Sequence, residues 1–103
     1  MDQLAAMRTF RHIVESRGIS AAAQRMDTTH STVSRQLKQL EQALGTRLVH
    51  RDTHGLSPTA AGERYYAACV DILQRVDAAA DALADEQRQV AASTRWRMST
   101  QAA

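Results

Sequence analysis

The chain has 103 residues, enough for one small domain and too few for two with separate cores. Its 13 lysines and arginines against 11 acidic residues leave a net charge of +2, which by itself points to no anionic ligand. One phenylalanine, two tyrosines and one tryptophan are too few for a base-stacking platform on single-stranded nucleic acid, and the lone Cys69 excludes an internal disulfide.

Met1-Asp2-Gln3-Leu4 has neither the basic flank nor the apolar run of a signal peptide, and no apolar stretch approaches the roughly 20 residues that cross a bilayer. A soluble chain in a reducing cytoplasm, without membrane contact, is expected. Leu4, Met7, Phe10 and Val14 recur at helical steps and predict a first packing helix stopped by Gly18. Ser20 is a suitable N-cap for a short second helix from Ala21 to about Met26, whose alanines permit close helix contact. The polar turn Asp27-Thr28-Thr29-His30 follows. Thr29 can cap a third helix over about 31–44, in which Val33, Leu37, Leu40 and Leu44 form the apolar stripe and Gly45 is the stop.

Residues 47–51 then read as a strand, Asp52-Thr53-His54-Gly55 as a turn and Leu56-Ser57 as a return strand: a small β-wing ending at Pro58. From 59 to 92 there is no proline and only Gly62 near the start, so one long helix is expected. Cys69, Ile72, Val76, Ala79, Leu83 and Val90 recur on it in a heptad-like seam that one small domain cannot cover, which calls for a partner. Arg95-Trp96-Arg97-Met98-Ser99 alternates like a strand with no neighbour to pair with, as in a fragment of a longer protein. The expected division is a winged helix-turn-helix over 1–58, a linker or dimerisation helix over 59–92, and over 93–103 the start of a hinge or of a further domain.

Charge is unevenly placed. Residues 1–64 hold nine basic groups and six acidic ones, whereas 65–103 hold four and five, so the front half is the anion-binding half. On the third helix Ser31, Ser34, Arg35 and Lys38 cluster opposite the apolar stripe. Short hydroxyls let a helix backbone approach base edges in the major groove, and arginine and lysine neutralise phosphates. A polar stripe alone is more often a solvated face. A preceding short helix, a tight turn and a following wing with Arg51 at its strand end turn the balance toward duplex DNA, because this order of elements places one helix in the major groove and an arginine at the minor groove or backbone.

Ser20-Ala21-Ala22-Ala23, Thr32-Val33-Ser34-Arg35-Gln36-Leu37, Leu40-Glu41, Leu44-Gly45, Arg47-Leu48, Arg51 and Thr59-Ala60-Ala61-Gly62 stand in one order. Over about residues 3–90 the chain thereby resembles the N-terminal domain of LysR-type transcriptional regulators. The resemblance implies a mainly α winged helix-turn-helix, three helices plus a two-stranded wing, followed by a linker helix that pairs antiparallel with that of a second subunit. It implies a bacterial, nucleoid-associated regulator of transcription that binds double-stranded promoter DNA as a homodimer, with a tetramer open to the full-length protein. DNA contacts carry over to Thr29, His30, Ser31, Thr32, Ser34 and Arg35, and to Arg51 in the wing; Lys38, on the same exposed face of the third helix, is expected to join them. That antiparallel pairing agrees with the seam already read from the heptad-like pattern, expected at Cys69, Ile72, Val76, Ala79 and Leu83. No cofactor or metal is implied, and a small-molecule effector only where a C-terminal domain exists. The chain departs from the family at Thr29-His30-Ser31, where Ser-Gln-Pro is common: glutamine pairs bidentately with adenine, and an imidazole offers one bond per ring nitrogen. Val49, Asp52, His54 and Pro58 likewise make this wing less basic or differently shaped.

Two other classes compete with this reading. His30, His50, His54 and Asp52 lack the spacing of a metal or acid–base site, which speaks against an enzyme. A coiled-coil interaction module without specific DNA binding would keep the long helix and reduce the front half to a cap. His12 reads as a structural residue, Cys69 as a buried thiol rather than a redox sensor, and Tyr65 and Tyr66 as packing between the long helix and the domain body.

Overall fold

The computed structural model describes the backbone of residues 1–102 and the side chains of residues 1–93. Its elements, in order, are α1 (Gln3–Ser16), α2 (Ile19–Arg25), α3 (His30–Leu44), β1 (Val49–Asp52), β2 (Gly55–Pro58) and α4 (Ala60–Ala102). The two strands pair antiparallel, with Val49 opposite Pro58 and Asp52 opposite Gly55. This is the expected winged helix-turn-helix followed by a long helix.

Local chemistry accounts for most boundaries. The Asp2 carboxylate caps α1 by accepting from the Ala5 amide at 3.1 Å. Thr29 caps α3, its Oγ1 accepting from the Thr32 amide at 3.2 Å, and Gly45 ends that helix at φ +68°, in the left-handed region that glycine enters without a Cβ penalty. The first two helices differ from expectation at their junction. Arg17, not Gly18, takes the left-handed turn after α1, at φ +59°, and Gly18 rather than Ser20 is the N-cap of α2. The reason is remote in sequence: the Arg17 carbonyl accepts from the Leu56 amide of the wing at 3.4 Å, which fixes where the chain must turn.

Phe10 and Ile13 of α1, Ala22 and Ala23 of α2, Val33, Leu37 and Leu40 of α3, and Leu48 and Val49 at the wing form one core. Leu44, expected at the end of the apolar stripe, is 39% exposed, since the last turn of α3 passes the edge of that core. The compact unit continues past the wing to Leu73, and residues 74–103 form a second unit. Cys69 and Leu73 on α4 are 0% and 1% exposed and belong to the core of the first unit. Cys69 therefore cannot serve on a dimer seam: a heptad pattern does not distinguish burial by a partner from burial by the chain's own core. Ile72 and Leu83 are exposed, Val76 is half-buried and Ala79 exposed.

The strand expected over 95–99 is absent, because α4 runs through it. A helix satisfies its backbone groups within its own segment, whereas a lone strand leaves them unpaired. No helix among the described residues is long and apolar enough to cross a membrane.

Candidate nucleic-acid interface

The start of α3 and the wing are held by interactions that leave a polar surface facing outward. Val33, Leu37 and Leu40 anchor α3 in the core, so Ser31, Arg35 and Lys38 on the opposite side are exposed and Ser34 is half-buried. Thr9, buried on α1, donates from its hydroxyl to Gln36 Oε1 at 2.6 Å and fixes the rotation of α3 about its axis. At the turn, the Thr29 hydroxyl donates to Thr32 Oγ1 at 2.9 Å, so both threonines are engaged with each other while Thr29 remains exposed. His30 is exposed and its Nδ1 lies 3.0 Å from Ser20 Oγ on α2.

The wing is tied down at its base and shaped at its tip. Glu41 on α3 accepts through Oε2 from the amides of Leu48 at 2.7 Å and Val49 at 3.4 Å. Thr59 donates from its hydroxyl to the Arg47 carbonyl at 2.7 Å, and the same oxygen accepts from the Gly62 amide at 3.0 Å, capping α4. Gly62 presses directly on Leu48, the residue before β1: a Cβ there would stand 1.9 Å from the Leu48 carbonyl oxygen. At the tip, Asp52 accepts from the His54 amide at 2.8 Å and from the Ser57 hydroxyl at 2.7 Å, and these bonds hold its carboxyl below its ordinary value of 3.8. Asp52 thus shapes the turn that presents Arg51, a use not visible in a reading that counted it only as lost positive charge.

Between α2, the start of α3 and the wing lies an open groove of about 310 Å³ whose lining includes Arg17, Ser20, His30 and Arg51. The structure therefore brings His30 and Arg51 to the rim of one groove, and Ser31, Arg35 and Lys38 share an exposed face of α3. Arg17 and Ser20 are not among the DNA contacts expected from the sequence. Ser20 is ten residues from His30, outside any helical or strand periodicity, so only the turn between α2 and α3 brings the two together.

On the far side of the unit the tyrosines pack as expected. Tyr65 meets Phe10 with ring centroids 5.6 Å apart, and Tyr66 donates to Glu15 Oε2 at 2.6 Å, a bond that lowers the Glu15 carboxyl and raises the phenol. The Tyr66 hydroxyl is engaged in joining α4 to α1. Burial pushes the Cys69 thiol up to about 11, which suits a packing role and not a reactive one.

Residues 4–63 match the family described as bacterial regulatory helix-turn-helix protein, lysR family. An HTH-type transcriptional repressor of Pseudomonas aeruginosa is 38% identical over 77 residues, covering 75% of this chain and 24% of that protein. The AhcY transcriptional activator HvrB of Rhodobacter capsulatus is 37% identical over 83 residues, 81% of this chain and 28% of that one. The chain thus spans about a quarter of the length of these relatives. Among solved structures, the BenM_DBD/catB site 1 DNA complex superimposes with a TM-score of 0.74 at 28% identity, over 79% of this chain and 90% of that one. The CbnR_DBD–DNA complex gives 0.72 at 28% identity, over 79% and 92%.

Proposed function

Since the chain belongs to the lysR family of bacterial regulatory helix-turn-helix proteins, we propose that its first unit binds double-stranded promoter DNA, with α3 in the major groove and the wing at the minor groove or the phosphates. The observation that carries this is the polar outer face of α3, with Arg35 and Lys38 exposed opposite the buried Val33, Leu37 and Leu40, and Arg51 exposed on the adjoining wing. Thr29, His30, Ser31, Thr32 and Ser34 stand at the start of the same helix, where side chains reach base edges. Arg35, Lys38 and Arg51 supply charge to the backbone, which sets affinity, and His30 and Ser31 supply sequence preference.

The regulator acts as a homodimer whose subunits meet along α4 through Ile72, Val76, Ala79 and Leu83, without Cys69. Exposed Ile72 and Leu83, at 41% and 58%, support that seam, because with Val76 and Ala79 they recur at the four- and three-residue steps of a stripe that a second helix can cover. The work is that of a cytoplasmic, nucleoid-bound, non-enzymatic regulator. A tetramer and a small-molecule effector belong to a longer protein of the size of its relatives. A protein-interaction module without DNA binding is not favoured, because structural neighbours were solved as DNA complexes.

A mobility-shift titration across salt concentration tests the reading. Binding is expected to weaken steeply as salt rises, because phosphate neutralisation releases counterions, and Arg35→Ala to weaken binding to all sequences alike. No binding to any promoter fragment at low salt would overturn it.

A further inference from the structure

We infer that Ser20 is a positioning residue for DNA recognition: its hydroxyl fixes the tautomer of His30, so that the ring reads a hydrogen-bond acceptor on a base edge. The inference rests on the reading of α3 as the major-groove helix. Ser20 Oγ and His30 Nδ1 are 3.0 Å apart, across the turn that separates α2 from α3. Ser20 is held in place by its helix, since Ala22 and Ala23 beside it are buried in the core. Among the described residues its hydroxyl has no other partner.

A neutral imidazole has one nitrogen that donates and one that accepts, and the hydrogen bond made by one nitrogen decides which is which. A hydroxyl can turn to donate, and the bare ring nitrogen is a better acceptor than the hydroxyl oxygen. Ser20 therefore donates to Nδ1, the ring proton sits on Nε2, and Nε2–H is the group that His30 offers outward from an exposed position at the groove rim. In the major groove an N–H donor is matched by guanine N7 and O6, thymine O4 or adenine N7, and opposed by the amino group of cytosine, which presents no acceptor there. The chain should thus disfavour cytosine where His30 lands, and favour most guanine, which offers two acceptors. A glutamine, which donates and accepts at once, would favour adenine.

Two measurements test this on the intact chain. Correlation spectroscopy of the imidazole nitrogens in the free protein should find the His30 proton on Nε2, and in Ser20→Ala a mixture of both tautomers. Selection of bound fragments from a randomised pool should show Ser20→Ala losing about three- to tenfold of the discrimination at one base position, the worth of one neutral hydrogen bond. His30→Ala should lose it at the same position, the double variant should lose no more than His30→Ala, and Ser20→Thr, which keeps the hydroxyl, should restore it. A merely structural serine would not move the tautomer or act at one position. Should the wild type bind while Ser20→Ala keeps its base preferences, or should the proton reside on Nδ1, the inference is wrong. Should the wild type select no fragment, the DNA reading itself fails, and the base preference falls with it.

Discussion

Gly62→Ala tests how the wing is attached. The new methyl carbon would sit 1.9 Å from the Leu48 carbonyl oxygen and 2.9 Å from its carbon, whereas real contacts are essentially never shorter than 3.0 Å. Strand and helix must separate by about 1.1 Å, and the atom in the way is backbone, which has no rotamer to change. That shift would break the bond from the Thr59 amide to the same carbonyl, now 2.9 Å, and lift Leu48, 1% exposed, from the core. The lost hydrogen bond costs about 1 kcal/mol. Overpacking adds about 1–3 kcal/mol. Replacing glycine by alanine in a helix returns at most about 1 kcal/mol. The net expectation is a destabilisation of about 1–3 kcal/mol, read as a fall in Tm of roughly 4–8 °C for each kcal/mol. Thermal and denaturant unfolding followed by circular dichroism would measure it. A variant as stable as the wild type, or more so, would refute the claim that close approach is why glycine stands there.

Three further outcomes follow from other contacts. Glu41→Ala removes the acceptor for the Leu48 and Val49 amides and should cost about 1–3 kcal/mol in denaturant unfolding, with Glu41→Gln, which keeps an acceptor oxygen, costing less; equal losses would mean that the bonds are not what matters. Cys69 should react with a thiol reagent far more slowly at neutral pH in the folded protein than in denaturant, because its thiol is buried and titrates near 11; equal rates would contradict the core assignment. Under the proposed homodimer, Leu83→Asp should shift the chain toward monomer in sedimentation while leaving its unfolding midpoint at low concentration nearly unchanged, since that side chain is already 58% exposed; an unaltered sedimentation profile would count against a seam through Leu83.

What could be read from residues alone was what depends on neighbours in the chain. Val33, Leu37 and Leu40 fall on one side of α3 by period, Thr29 caps it and Gly45 ends it, all within one helix. The junction after α1 is not legible locally, because Arg17 turns left-handed under a bond from Leu56, nearly forty residues on. The stretch over 95–99 alternates, but alternation has no force without a strand alongside. Cys69 lay on a periodic seam, and period does not say which molecule does the covering. In the candidate site, His30 and Arg51 stood out by chemistry and order of elements. The bonds of Ser20 to His30 and of Glu41 to the Leu48 and Val49 amides close across turns, and no helical or strand spacing announces them; the bond of Asp52 to the amide two residues on is a local turn bond.

The paired amides on Glu41 have a consequence for the ligand. Because one carboxylate of α3 holds the entry to β1, the span between the helix and the wing is set before any duplex arrives. A pair of contacts at fixed spacing behaves as a gauge: a duplex whose groove does not match must bend or narrow to fit, at a cost that depends on how easily its base steps deform. Under the DNA reading, then, preference should extend to base pairs between the two contacts that no side chain touches.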